Sequence, residues 1–368
     1  MIETFRILHT EASVGWGGQE IRILGEMLGM KDRGHTVALA APEHSQIYKR
    51  AYSAGIKVFG IDFDRKSLFI TGHKLRKLIQ SERIQILNTH SSRDSWAGGI
   101  AGKLAGIKVI RTRHISSRLN PNIATKFVYG PLTAGIITTG NFIKEQITRE
   151  LGISPGKIYS IPTGIDVTRF ADADGEAVRL EFGIAADEPV VGIAAALRSW
   201  KGHLHIVRAM SEVIRHFPKA RLLAAGEGDL RKGIMELTAE LGLQNSVILA
   251  GHREDIPEII AAFDVSVMAS YASEGIPQFA IQSMAAGKPI VGTETGGIPE
   301  VVKDGINGYI VPPKNPEALA GAIIKLLSNP EKAREMGLAG RQMALFNHTK
   351  EKMLDDTEAL YRKALGCE

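Results

Sequence analysis

The sequence holds a single cysteine, Cys367. One thiol closes no intramolecular disulfide and builds no multi-thiolate metal site, so a disulfide-stapled secreted fold is excluded and a reducing compartment is compatible. Near the end of the sequence it reads as an inert thiol. No run approaches ~18 consecutive apolar residues, and the opening MIETFRILHT lacks a basic segment followed by a long apolar one. Neither a membrane-spanning helix nor a signal peptide is expected, which places the chain in the cytoplasm or peripherally on the inner face of the cell membrane. Zinc-type His/Cys spacing is missing, and the acidic pairs Asp62–Asp64 and Asp172–Asp174 follow no apolar strand, so they read as solvated loops and no metal is expected. Aromatics make up only 6% and the Lys and Arg residues are scattered without interleaved aromatics, which argues against a nucleic-acid partner. The G-x-G-x-x-G dinucleotide fingerprint is absent as well.

What is present is the composition of a soluble globular protein, 44% hydrophobic and 23% charged. At roughly 100–200 residues per domain, 368 residues give two domains. Charge is divided unevenly: residues 1–168 carry 23 Lys+Arg against 13 Asp+Glu, net +10, and the remaining 200 carry 22 against 27, net −5. A basic first half implies an anionic partner on that side, such as a lipid headgroup or a charged glycan.

Short β-branched runs alternate with amphipathic helical patterns. FRILHT, HTVALAA, KVFGI, IQILNTH, IKVIRTRH, GIITTG and KIYSIP occupy the first half; PVVGIAAAL, ARLLAAG, SVILAG, DVSVMAS, KPIVGT and GYIVP occupy the second. Strands separated by helices of ten or more residues are parallel βαβ units, with ligands at the carboxyl ends of the strands. The turn-rich stretch at 162–176 reads as a linker. This gives an α/β fold of two doubly wound, Rossmann-like domains, over 1–168 and 169–346, and a terminal helix over 347–368.

The densest motif runs from Ser270 to Pro313. A glycine-containing loop after a strand feeds a helix that starts near Pro277–Phe279, which aims the backbone amides of residues 277–280 and the positive helix end at a ligand. A diphosphate fits that chemistry. Glu274 and Gln282, eight residues apart, span just over two helical turns and reach different parts of one extended ligand.

This block, with Gly275, Gly287–Pro289, Gly296–Gly297, Pro299–Glu300, Asp304–Gly305 and Asn307–Gly308, resembles the C-terminal half of the retaining, nucleotide-sugar glycosyltransferases of family 4, which have the GT-B fold. The resemblance implies two domains facing across a cleft, with the terminal helix crossing back onto the first. It implies that Glu274 lies by the donor sugar. Position 282, where the family carries a second glutamate for the ribose hydroxyls, is Gln282, which hydrogen-bonds a diol without a carboxylate's charge. GIAAALRSWKGHLHIVRAM is similar to the family's turn of Arg-Leu, three residues, then Lys-Gly: Lys201 fits, Ala196 stands at the arginine position, and Arg198 follows two residues later. Lys201 and Arg198 would meet the leaving diphosphate.

Further donor contacts implied by the resemblance are the loop of Gly17 and Gly18, Gly226, Gly251 and Arg253 near the nucleotide, and Gly275, Gln278 and Phe279 at the helix start. His114, at a strand end, matches the family's donor-sugar histidine and joins Glu274 and Lys201 as the catalytic set. His90 ends a neighbouring strand on the acceptor side, where Arg111, Arg113, Arg118 and Lys126 crowd together and suit an anionic or lipid-linked acceptor. The implied function is metal-independent, retaining transfer of a sugar from a nucleotide-diphosphate donor to a cell-surface glycan or lipid-linked hydroxyl, as in lipopolysaccharide or polysaccharide biosynthesis. The nucleotide sugar is co-substrate and no other cofactor is needed. The alternatives are a non-catalytic nucleotide-sugar-binding subunit, for which Gln282 and Ala196 speak, and a nucleotide-sugar epimerase on the same fold.

Overall fold

Strands buried on both faces need apolar, β-branched residues throughout, and the runs named above supply them. The computed structural model describes residues 4–64, 68–272 and 274–367; Ser273, inside the densest motif, lies outside the described residues. The chain forms two units, one of the residues up to Gly164 together with those from Lys350 onward, the other of Ile165–Thr349.

In the first unit the order is β1 (Arg6–Thr10), α1 (Gly18–Asp32), β2 (Thr36–Ala41), α2 (Gln46–Ser53), β3 (Lys57–Gly60), α3 (Leu68–Ser81), β4 (Ile86–Thr89), α4 (Ser92–Ala105), β5 (Lys108–Arg113), α5 (Ile123–Tyr129), β6 (Gly135–Thr138), α6 (Asn141–Leu151) and β7 (Ile158–Ser160). All seven strands pair in parallel in the order β3-β2-β1-β4-β5-β6-β7. The winding reverses between β1 and β4, and in such sheets the ligand crevice opens at the carboxyl ends of those two strands.

The second unit begins with α7 (Val167–Ala171) and α8 (Glu176–Glu181) and continues β8 (Val190–Ala194), α9 (His203–His216), β9 (Arg221–Ala225), α10 (Arg231–Glu240), β10 (Val247–Gly251), α11 (Ile256–Ala261), β11 (Val265–Met268), α12 (Gln278–Ala285), β12 (Ile290–Thr293), α13 (Ile298–Val301), β13 (Gly308–Val311), α14 (Pro316–Leu327) and α15 (Pro330–Asn347). Its parallel sheet runs β10-β9-β8-β11-β12-β13, reversing between β8 and β11. Asn315 and Asn329 cap α14 and α15, accepting from Ala318 N–H at 2.9 Å and Lys332 N–H at 3.0 Å.

A final helix, α16 (Lys350–Leu365), belongs to the first unit. Met353, Leu354, Leu360 and Tyr361 join Phe5, Ile7, Ile23 and Met27 in one apolar cluster. Full burial of such side chains stabilises by about 1.5–3 kcal/mol each. Arg33 at the end of α1 pairs with Asp355 at 2.7 Å and Glu358 at 3.1 Å on the same helix.

The stretch at 162–176 departs from its reading as a linker. Asp166 accepts a hydrogen bond from Arg169 N–H at 3.2 Å and starts α7, whose Val167 and Phe170 enter the core of the second unit. Three residues apart on a helix, these two share a face, and five helical residues are too few for that period to stand out in the sequence.

Candidate active site

In the second unit the loop after β8 and the loop after β11 meet at the point where the sheet's winding reverses. A 3-10 turn at Ser199–Lys201 ends at Gly202, whose φ is +77° and whose imagined Cβ would lie 2.0 Å from the carbonyl oxygen of Ala269. Only glycine lets the turn rest directly on the end of β11, and that approach delivers Lys201. Its Nζ donates to Glu274 Oε1 at 2.6 Å, and Ser270 Oγ donates to the same oxygen at 2.7 Å. Tyr271 N–H, donating to Trp200 O at 2.9 Å, ties the two loops by their backbones.

Glu274 is 5% exposed, yet Oε1 takes both bonds, and among the described residues Oε2 remains as an acceptor. An ammonium has three N–H donors, so Lys201 keeps two beyond the one given to Glu274. Four residues on, α12 starts behind Pro277 with no side-chain cap. The sequence offered amides 277–280 to an anion. Pro277 has no N–H, and Ala280 N–H donates to Pro277 O at 3.1 Å, so the amides of Gln278 and Phe279 are the ones that helix geometry leaves without an intrahelical acceptor. An ammonium and two helix-end amides beside one carboxylate offer chemistry suited to a diphosphate joined to a hydroxylated group.

The strand ends of the first unit carry a buried polar cluster. His9 Nδ1 and His90 Nε2 are 2.9 Å apart, and His90 Nδ1 and His114 Nε2 are 3.1 Å apart. Burial pushes all three imidazoles below their ordinary pKa; the neighbouring His9 and His114 rings and the Arg22 guanidinium add to this at His90, as Arg22 does at His114. Asp94 accepts Thr10 Oγ at 2.7 Å, His90 N–H at 2.8 Å and Ser91 N–H at 2.8 Å. Burial, with Asp94 nearby, pushes the Glu11 carboxyl up to about 8, against hydrogen bonds from Ser13 N–H at 2.7 Å and Gln19.

Several residues read from sequence stand differently from expectation. His90 has both ring nitrogens engaged by other histidines, so it holds His114 rather than a ligand. The Arg113 guanidinium is tied to Tyr129 OH at 3.0 Å and to Ser117, and Arg111 lies buried over the Tyr129 ring, whereas Arg118 and Lys126 are exposed. Phe279 offers only its amide, because its ring is 8% exposed and packs edge-on against Phe263 in the core. Arg253 is held by Glu181 at 2.6 Å and Asp255 at 2.6 Å, bonds that raise its pKa further, and is not a free cation.

The other residues singled out in the sequence take the following places. Arg198 is exposed, its guanidinium 5.2 Å from the Trp200 ring centroid. Gly226 donates its N–H to Gly251 O at 2.7 Å, joining the ends of β9 and β10. Gly275 is buried in the loop before α12, and Gln278 and Gln282 are half-buried on that helix. Gly17 is the N-cap of α1 and Gly18 its first residue. His9, Glu11, Asp94 and Ser270 were not singled out, although the strands RILHTE, ILNTH and VIRTRH each turn polar at their carboxyl ends.

Two family models tile the sequence. One described as Glycosyltransferase Family 4 matches residues 16–169, and one described as Glycosyl transferases group 1 matches residues 175–343. The chain belongs to glycosyltransferase family 4. The glycosyltransferase is 29% identical over 317 residues to a D-inositol 3-phosphate glycosyltransferase of Segniliparus rotundus, covering 80% of this chain and 70% of that protein. It is 28% identical over 277 residues to the UDP-Gal:alpha-D-GlcNAc-diphosphoundecaprenol alpha-1,3-galactosyltransferase of Escherichia coli, covering 72% and 70%. Among solved structures, Alr3699/HepE of Anabaena in complex with UDP superposes with a TM-score of 0.86 at 19% identity, over 98% of this chain and 100% of that one. Two parallel, doubly wound units give the glycosyltransferase the GT-B fold.

Proposed function

We propose that this glycosyltransferase moves a sugar from a nucleoside-diphosphate donor to a hydroxyl of a glycan or lipid-linked acceptor, with retention of configuration and without a metal ion. The observation that carries this reading is the contact of Lys201 with Glu274 at 2.6 Å, beside the uncapped start of α12. Lys201 and the Gln278 and Phe279 amides neutralise the diphosphate as its charge grows, the work a divalent cation does elsewhere. Glu274 Oε2 accepts from a sugar hydroxyl, and Gln282 meets the ribose. The bond from the anomeric carbon to the phosphate oxygen breaks, a bond to the acceptor oxygen forms on the same face, and the acceptor proton passes to the leaving phosphate. A UDP complex in Alr3699/HepE and a diphosphoundecaprenol substrate in the Escherichia coli relative support a uridine nucleotide and a lipid-linked acceptor. The net +10 of residues 1–168 supports docking at an anionic membrane.

The test offers UDP-, GDP- and ADP-sugars and a lipid-linked acceptor in anionic vesicles, in EDTA, at low and high salt. We expect one donor to give a product of retained configuration, Lys201→Ala to lower kcat by roughly 10²–10³, and turnover to fall as salt rises. Salt-insensitive turnover would remove the membrane contact alone. Nucleotide binding with no transfer to any acceptor would leave a binding subunit, and an epimerised donor without product would leave an epimerase.

A further inference from the structure

Alternate residues along a strand share a face of the sheet. His9 lies two residues beyond Ile7 on β1, His90 two beyond Asn88 on β4, and His114 two beyond Thr112 on β5, so three adjacent strands bring their imagined lines of side chains to one row of rings at the carboxyl edge. The His9 and His90 rings lie near-parallel with centroids 5.2 Å apart, and the His90 and His114 rings are tilted by 32° with centroids 5.3 Å apart. The nitrogens alternate along the row: Nδ1 of one ring meets Nε2 of the next.

A neutral imidazole carries one N–H and one lone pair, and the hydrogen bond made by one nitrogen decides which the other presents. Three such rings in a chain therefore have two arrangements, and the choice at His9 is passed on to the outer nitrogen of His114. In one, every proton sits on Nε2; in the other, every proton sits on Nδ1. His9 Nε2 is buried with no hydrogen-bond partner among the described residues, and so is Oε2 of Glu26, whose negative charge acts on this ring. Glu26 is itself held in place: Tyr361 OH donates to its Oε1 at 2.9 Å, and Asn88 Nδ2 donates to Tyr361 OH at 2.9 Å. Arg22, one turn earlier on α1 and anchored to Thr163 Oγ at 3.3 Å, is the positive charge that acts on His90 and His114. Negative charge at the His9 end and positive charge at the other favour protons directed toward Glu26.

We propose that His9 and His90 are positioning residues that, with Glu26, lock His114 as the Nε2–H tautomer, so that its Nδ1 presents a lone pair to a substrate hydroxyl. The substrate role of His114 rests on the glycosyl-transfer reading above; the tautomer lock itself does not. A donor hydroxyl would give its proton to Nδ1, whereas the opposite tautomer would offer it an N–H and reverse the bond.

The experiment is ¹⁵N NMR of the substrate-free protein labelled at histidine, where N–H and lone-pair ring nitrogens are resolved, with the His114 signals identified by their loss in His114→Asn. We expect a lone-pair signal for His114 Nδ1 in the wild type. His9→Phe removes the acceptor for His90 Nε2–H, so the chain should reverse and the Nδ1 signal of His114 should become N–H; His9→Asn keeps an acceptor and should preserve the wild-type pattern. Glu26→Gln, which retains Oε1 but not the charge, is expected to mix the two tautomers and serves if His9→Phe fails to fold. In transfer assays His9→Phe should lower kcat by about tenfold with the KM for donor unchanged, and His9→Asn should restore it. An N–H signal at His114 Nδ1 in the wild type, or no change in His9→Phe and Glu26→Gln, overturns the lock. A reversed tautomer with unchanged kcat overturns the positioning role. A wild type that transfers nothing but shows the expected signals overturns the functional reading and leaves the lock standing.

Discussion

Glu11, just past the end of β1, has no exposed surface, and burial is the main cause of its raised pKa of about 8. In the unfolded chain a glutamate ionises near ~4.3. Between those values the native state holds a proton that the unfolded state has released, so the contribution of Glu11 to stability is full below about pH 4 and is lost as pH rises toward 8. A Glu11→Gln variant has no such proton to lose. Its Tm relative to wild type should climb by at least about 3 °C between pH 5 and pH 9, read by thermal denaturation across pH; a constant difference would mean that Glu11 is ionised in the fold. Glu11 could not be singled out in the sequence, because nothing in a run of letters distinguishes a strand-end carboxylate that is sealed from one that is wet. Lys201 and Glu274 were legible for the opposite reason: each sits in a spaced motif with glycines whose positions are dictated by backbone contact.

Those glycines differ in what they do for their elements. Gly226, after β9, has φ +144°, and an added Cβ would fall 2.0 Å from the carbonyl oxygen of Ala195. The backbones of two strand ends touch there, and neither can move without breaking the sheet. Gly17 is extended at φ −167°, and its Cβ would find its nearest neighbour at 3.6 Å, in ordinary contact with Glu20. Gly226→Ala is therefore expected to destabilise the second unit by about 2–4 kcal/mol, while Gly17→Ala, which only exchanges a modest helix cap for a poorer one, should cost no more than about 1 kcal/mol and reduce transfer. Urea titration of both variants checks the first pair of values, and an active Gly17→Ala protein would show that nothing approaches that loop closely. Elements of this length follow from hydrophobic period, which is why both sheets could be read in advance. The α7 helix could not, since one aspartate cap and two apolar residues carry it.

At the scale of the molecule the two units are nested rather than strung together. The second is one continuous stretch, Ile165–Thr349, whereas the first is interrupted by it and completed by α16. The hydrogen bond from Tyr361 to Glu26 spans 335 residues of sequence. Closing so long a loop is slow relative to contacts within a contiguous unit. In refolding, pulsed hydrogen exchange should protect β8–β13 before β1 and β4, and β1 should gain full protection in the same phase as α16. A fragment of residues 1–164 that folds by itself with native protection would contradict this. The same nesting sets a timetable at the ribosome, where domains fold in the order in which they are made. Here the rule is inverted: the first sheet emerges early and then waits, its α1 face uncovered, while the whole of the second is made. Glu26 gains its Tyr361 partner only when the final helix leaves the exit tunnel, and until then the apolar surface around Ile23 and Met27 is what a chaperone would find.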